Sequence, residues 1–129
     1  AYVHLRAMGG RDYASWHRSF FPNFDKGGLV IDVRHYRGGN IDTWLLDRLL
    51  RQAWLFFHAC DAAPNYAAQA AFRGHIAVVC NERTASDGEG FCLGTQRVLP
   101  EGRVKIFGTR TWGGFIWIAA GHKLVDGGT

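Results

Sequence analysis

Two neighbouring glycines, Gly38 and Gly39, stand between a predicted strand and a predicted helix. Glycine has no Cβ, so a pair of them leaves backbone N–H groups able to point at an anion. The same glycines would also suit an ordinary tight turn that needs positive φ angles. This junction is therefore interpreted either as an anion-binding turn or as a structural one.

A second junction places Ser86 directly before another predicted helix. Its hydroxyl would lie near the helix N-terminus, beside the backbone N–H of Asp87. A nucleophilic serine shares an oxyanion site with backbone amides in this way. A serine in front of a helix is also a common N-cap. The pattern thus predicts either a nucleophile or a helix cap at this position.

Sites for cofactors and metals find little support in the sequence. Gly88, Gly90 and Gly94 approach the dinucleotide pattern G-x-G-x-x-G, but the third glycine comes one place too late. No Gly-Lys-Ser/Thr of a P-loop occurs, and the six histidines and three cysteines show no metal-ligand spacing. We therefore expect no cofactor and no metal.

The elements that must position these junctions alternate between strands and helices. A β-branched run predicts a buried parallel strand over residues 28–34. Apolar residues at helical spacing predict helices over residues 12–21 and 41–52, the second capped by Asn40 and with Trp44 in its core stripe. Further strands are predicted over residues 2–5, 53–58, 75–80 and 104–107, a loop over 64–74, a helix over 87–99 and a hairpin over 115–118 and 123–125. This order predicts an α/β fold.

Length, charge and cysteine usage limit the possible functions. The 129 residues suit a single domain spanning 1–129 with one core. The net charge is only +4 and the basic residues are interleaved with acids, so nothing indicates a nucleic-acid or anionic-lipid partner. No apolar run approaches the ~20 residues that a membrane span needs. Three cysteines cannot all pair internally and no secretory signal is present, so we expect a cytoplasmic protein with reduced thiols.

Six short segments together resemble the C-terminal catalytic part of tricorn-type proteases, which belong to the tail-specific, or C-terminal-processing, serine peptidase group. They occur in the family's order and cover nearly the whole chain: YVHL at 2–5, LVIDVR at 29–34, RGGNID at 37–42, TASDGE at 84–89, GTRTWGG at 108–114 and LVDG at 124–127. The resemblance implies a ClpP/crotonase-like fold of ββα units. The chain begins without Met and stops at Thr129, so we expect this domain to be truncated at both ends.

The resemblance implies hydrolysis of peptide bonds by a nucleophilic serine. Matched by motif, Ser86 is the nucleophile, and the backbone N–H groups of Gly39 and Asp87 form the oxyanion hole, with the Asp87 side chain directed elsewhere. Gly38 and Phe57 are expected to contact the substrate. Phe57 falls where tricorn proteases carry an acid that selects basic P1 side chains, so an apolar P1 pocket is expected. Tricorn relatives form hexamers, which implies a homo-oligomer acting on a peptide or protein.

The matched positions do not include every catalytic group of the family. The general-base histidine lies upstream of the matched segment, and its supporting glutamate lies downstream. His35, beside the glycine turn, and His122, in the predicted hairpin, match neither group. Without its base a Ser–His hydrolase loses on the order of 10⁶ in turnover, so we expect this chain alone to be a very poor peptidase. Arg37 replaces a glycine of many relatives and is expected to narrow access to the oxyanion hole.

Two other functions fit the same residues. In a crotonase-like site, paired backbone amides that include Gly39 would polarise an acyl-thioester carbonyl without any serine. In a non-catalytic assembly domain, Ser86 would serve only as a helix cap, and exposed sheet edges would favour association.

Overall fold

The computed structural model describes residues 1–7, 9–116 and 125–126. The described elements are, in chain order, β1 (Tyr2–His4), α1 (Gly10–Phe20), β2 (Gly28–Asp32), α2 (Asp42–Leu50), β3 (Phe56–Phe57), β4 (Asn65–Tyr66), β5 (His75–Cys80), α3 (Asp87–Val98) and β6 (Val104–Gly108). A 3₁₀ turn at Phe21–Asn23 follows α1. None of the described helices has the length and apolarity that crossing a membrane requires.

Four strands form a parallel sheet in the order β1-β2-β5-β6. The central strands β2 and β5 place Ile31 opposite Val78. β-Branched side chains of this kind pack well on a pleated surface, and parallel strands buried by helices carry continuous apolar runs. The prediction of an α/β fold is confirmed, and the buried parallel strand predicted over residues 28–34 is found as Gly28–Asp32.

The three helices cover one face of the parallel sheet. Alternate residues of the two central strands, Leu29 and Ile31 in β2 and Ile76 and Val78 in β5, are buried on this face. They belong to one hydrophobic cluster that also contains side chains of all three helices. The largest fully buried side chain is Trp16 of α1, whose ring stacks on Phe20 at 4.8 Å between centroids. Burying one such side chain contributes about 2–3 kcal/mol. The other face of the sheet is less covered, and Phe107 is half exposed there.

Helix α2 differs from its prediction at both ends and on its buried face. It begins at Asp42 and ends at Leu50, and Ile41 rather than Asn40 occupies the N-cap position. The Asp87 carboxylate accepts the backbone N–H of Ile41, so a partner from another element caps this helix. Trp44 is 52% exposed and contacts Tyr13 rather than entering the core.

The apolar segment over residues 53–58, which was predicted to be a strand, lies largely on the surface. The predicted strand is reduced to β3, which pairs antiparallel with β4 inside the region predicted to be a loop. Trp54 is 74% exposed, and Phe56 and Phe57 are more than half exposed. A short apolar run does not reveal by itself whether its strand is buried. Of the predicted hairpin, Phe115 and Ile116 are not in a strand, and residues 117–124 lie outside the described ones.

Candidate active site

The turns that follow β2 and β5 meet at the carboxyl edge of the sheet, because neighbouring parallel strands end on the same side. Hydrogen bonds join the two turns. The Thr84 hydroxyl donates to the Val33 carbonyl at 2.8 Å, and the Ala85 amide donates to the Tyr36 carbonyl at 3.0 Å. The His35 amide donates to Asn81 Oδ1 at 3.0 Å. The two junctions singled out in the sequence therefore form one local structure.

Ser86 has a backbone conformation that serine rarely adopts. It stands at the N-cap of α3 with φ +53° and ψ −120°, whereas an ordinary N-cap residue has extended dihedrals. A side chain at positive φ is strained by about 1–3 kcal/mol, and such strain clusters at functional sites. The Ser86 hydroxyl is half buried and donates to the carbonyl oxygen of Ile116 at 3.0 Å.

Gly38 lies directly against Ser86. Its φ is +97°, and a Cβ built on it would come within 3.0 Å of Ser86 Cβ and 3.2 Å of Ser86 Oγ. Only a residue without a side chain fits here without displacing the serine. Gly39 follows at the surface, and both glycines line the same cavity as Ser86. The structure thus brings together the glycine pair and the serine of the sequence-based hypothesis.

The side chain of Asp87 is directed toward the start of α2. This carboxylate is fully buried, and its Oδ2 accepts the backbone N–H groups of Ile41 at 3.0 Å and Asp42 at 3.2 Å. Burial, followed by the nearby Asp42 carboxylate, raises the pKa of Asp87 to about 6. Asp87 therefore links the start of α3 to the helix that follows the glycine turn.

Glu89 is a residue of this site that the sequence analysis missed. Its buried carboxylate accepts the Ser86 amide at 3.1 Å and also binds the segment that follows β6. Burial raises the pKa of Glu89, but the hydrogen bonds that this carboxylate accepts outweigh burial and leave the pKa lowered. The signal was present in the sequence as S-x-x-E over residues 86–89, the pattern of a capping box.

A cavity of about 530 Å³ opens above Ser86 and the glycine turn. Apolar surface comes from Ala85, Trp112 and Ile116, and charged side chains line it as well (Arg37, Glu82 and Arg83). Phe57, predicted to contact substrate, lies on the two-stranded sheet and is not among the described residues that line this cavity. A peptide segment is of a size to enter such a cleft.

No histidine is found among the described residues that line the cavity. His35 is exposed in the turn after β2, with φ +60°, and its Nε2 lies 3.4 Å from Asn81 Nδ2. His122 lies outside the described residues. Within the described part of the chain, no cluster of His, Cys, Asp or Glu is arranged to hold a metal ion.

The arrangement of these residues favours chemistry in which negative charge develops beside Ser86. The serine hydroxyl faces a cleft at the N-terminus of α3, where the helix dipole stabilises an anion. Backbone amides in such a position can donate hydrogen bonds to the oxyanion of an acyl-transfer intermediate.

Comparison with known proteins points in the same direction. The sequence model of peptidase family S41 matches residues 1–129. Over 126 residues the chain is 32% identical to tricorn protease homolog 1 of Streptomyces coelicolor and 29% identical to the tricorn protease of Thermoplasma acidophilum. Both matches cover 98% of this chain and 12% of the relative, so the chain spans only a small part of these proteins.

Solved structures share the fold. The crystal structure of the tricorn protease matches with a TM-score of 0.80 at 28% identity, covering 98% of this chain and 12% of that chain. The photosystem II D1 C-terminal processing protease matches with a TM-score of 0.64 at 23% identity, covering 87% of this chain and 30% of that chain.

Proposed function

Because the chain belongs to peptidase family S41, we propose that it carries the nucleophile and the oxyanion hole of a serine peptidase. The observation that carries the proposal is the contact between the two turns. A Cβ on Gly38 would touch Ser86, so the glycine turn and the serine lie side by side at one cleft.

In this proposal the Ser86 hydroxyl attacks the scissile carbonyl of a bound peptide. The backbone N–H groups of Gly39 and Asp87 donate to the oxygen that becomes negatively charged. Losing one such donor typically costs ~3–4 kcal/mol of transition-state stabilisation. The direction of the Asp87 side chain supports this scheme, because its carboxylate is engaged by the amides of Ile41 and Asp42.

The general base and its supporting glutamate are proposed to come from segments outside these 129 residues. The chain covers only 12% of the tricorn protease of Thermoplasma acidophilum, which supports this part of the proposal. A serine without a base attacks slowly, so the chain alone is proposed to be a very poor peptidase.

The substrate is proposed to be a peptide or protein with an apolar P1 side chain. Ala85, Trp112 and Ile116 supply apolar surface beside Ser86. Phe57 enters this proposal only as a sequence-based contact, since it lies on the two-stranded sheet. The relatives named tricorn protease support action on peptides. By family resemblance the protein is further proposed to be a homo-oligomer with a ClpP/crotonase-like fold. A cytoplasmic location is proposed from the three cysteines, which cannot all pair internally.

The two alternatives have less support. A simple helix cap does not need the positive φ of Ser86, because ordinary caps adopt extended dihedrals. An acyl-thioester site depends on Gly39 alone and leaves the strained serine unexplained.

A fluorophosphonate probe, which labels activated serines, tests the proposal on the longer protein that contains this chain. We expect Ser86 to be labelled, and Ser86→Ala to remove both labelling and peptidase activity. Ser15→Ala, which alters a serine of α1, is the control and should retain both. Full peptidase activity in the Ser86→Ala protein would contradict the proposal, and saturable acyl-CoA binding would favour the thioester site.

A further inference from the structure

The Glu89 carboxylate accepts hydrogen bonds from four donors that come from two separate parts of the chain. Oε2 accepts the amides of Ser86 at 3.1 Å and Phe115 at 2.8 Å. Oε1 accepts the Thr111 hydroxyl at 2.9 Å and the Gly113 amide at 2.6 Å. Only 4% of the residue is exposed. A single buried group thus ties the start of α3 to the segment that follows β6.

The first consequence concerns the backbone of Ser86. The amide of this residue is held by a carboxylate three positions later in α3, while its carbonyl oxygen accepts the amides of Glu89 and Gly90. Both backbone groups of Ser86 are therefore engaged, and these bonds help to hold φ at +53°. Positive φ needs such support, because an L side chain is strained there.

The second consequence concerns the wall of the cleft. Three of the four donors belong to residues 111–115, and the next residue is Ile116. Trp112 and Ile116 line the cleft, and the Ile116 carbonyl oxygen accepts the Ser86 hydroxyl. The bonds to Glu89 therefore determine where this wall stands relative to the serine.

From these contacts we infer that Glu89 is a positioning residue for Ser86. It acts through the serine backbone and through the wall formed by Trp112 and Ile116, and it need not touch the substrate. The inference rests on the proposed function, in which Ser86 is the nucleophile. Glu89 lies within the matched segment TASDGE, but the resemblance assigned it no role.

A carboxylate suits this position better than any other side chain. All four partners are donors, and an ionised carboxylate is the side chain that offers only acceptors. A glutamine would turn an NH₂ group toward two of those donors and lose their hydrogen bonds. The start of a helix also favours negative charge. Glu89→Gln therefore changes the bonding of the site while the size of the side chain is kept.

The test measures kcat and KM in the longer, active protein that contains this chain. We expect Glu89→Gln to lower kcat about 10²-fold with little change in KM, because a small misplacement of reacting groups has such an effect. Thr95→Val is the matched control. It removes another buried polar group of α3, whose hydroxyl donates to the Cys92 carbonyl, and it should reduce stability without lowering kcat.

A second variant covers the case in which Glu89→Gln does not fold. Thr111→Val removes only one of the four donors and should lower kcat by about threefold to tenfold, the range expected for one hydrogen bond. If the folded Glu89→Gln protein, or failing that Thr111→Val, keeps the parent kcat, the inference is overturned while the proposed function stands. If Ser86→Ala also keeps full activity, both are overturned.

Discussion

Gly38 and Ser86 are in such close contact that a methyl group on the glycine would lie 3.0 Å from the serine Cβ. The two residues are far apart in the sequence and belong to turns that follow different strands. Their contact forms the centre of the candidate site, and it makes the glycine a sensitive point for mutation.

Gly38→Ala should reduce both stability and serine reactivity. The new side chain is strained at φ +97°, by about 1–2 kcal/mol, and it also crowds Ser86. Gly102→Ala is the matched control, because Gly102 has φ +76° with nothing within 4 Å of the added Cβ. Urea unfolding should show a lower free energy of unfolding in both variants. Fluorophosphonate labelling of Ser86 in the longer protein should fall only in Gly38→Ala. Equal labelling in the two variants would argue against close contact at the site.

Asp87 should make the protein less stable as pH rises toward neutrality. Its pKa is raised from 3.8 to about 6, so the folded state binds more protons than the unfolded chain between these values. The stabilisation is complete below the unfolded pKa and is lost as pH rises through the folded one. Asparagine cannot titrate, yet its side-chain oxygen can still accept the Ile41 amide. Asp87→Asn should therefore flatten the decline in the free energy of unfolding across this range.

Urea unfolding between pH 3.5 and pH 7.5, about the window in which the two states differ in proton binding, measures this effect. Asp47→Asn, which alters an exposed carboxylate of α2, is the control and should follow the parent curve. A parent-like slope in Asp87→Asn would show that another group is responsible.

Asp32 should have the opposite pH dependence. Burial raises the pKa of its carboxyl, but hydrogen bonds from Arg34 and Tyr2 outweigh burial and lower the pKa to about 2. Between about pH 2 and the ordinary pKa of 3.8, the unfolded chain therefore binds more protons at Asp32 than the folded protein does. The stabilisation of the folded protein by the ionised Asp32 is complete above the ordinary pKa and is lost as pH falls toward 2. Arg34→Met should lower the free energy of unfolding at pH 7, because the buried Asp32 carboxylate loses its charged hydrogen-bond partner.

Acid unfolding of Arg34→Met, followed by circular dichroism, should begin at a higher pH than in the parent. Arg11→Met, which alters an exposed arginine of α1, should unfold at the parent pH. A parent-like acid transition in Arg34→Met would mean that the ion pair does not stabilise Asp32.

Two glycines of α3 should respond differently to substitution by alanine. A Cβ on Gly88 would lie 2.5 Å from Cδ1 of the buried Tyr36 ring, which has no room to move, so Gly88→Ala should destabilise by about 1–3 kcal/mol. A Cβ on Gly94 would meet the methyl end of Leu46, which is partly buried and can rotate away. Gly94→Ala also gains up to about 1 kcal/mol of helix propensity. Urea unfolding of both variants measures the two changes in the free energy of unfolding. An equal decrease in the two variants would contradict the predicted difference.

Local pattern was enough to identify most of the fold. The β-branched run over residues 28–34 and the apolar run over 75–80 became adjacent parallel strands, and Ser86 stands at the start of α3 as its position before a helix predicted. Such features depend on the spacing of apolar residues along a short stretch of chain and on the chirality of the amino acids. They can therefore be predicted from the sequence without knowledge of distant contacts.

The tertiary structure decided what surrounds those elements. Asn40 looked like the cap of α2, but Asp87, 46 residues from Ile41, supplies the acceptor. Trp54 and Phe57 belong to an apolar run, yet both lie at the surface, and Phe57 pairs with Asn65 in the two-stranded sheet. The role of Glu89 depends on donors from Thr111 to Phe115, a segment that follows β6 and is brought to Glu89 by the pairing of β6 with β5. Each of these outcomes depends on contacts between distant residues, and a buried polar group takes whichever partner the completed fold brings within hydrogen-bond distance.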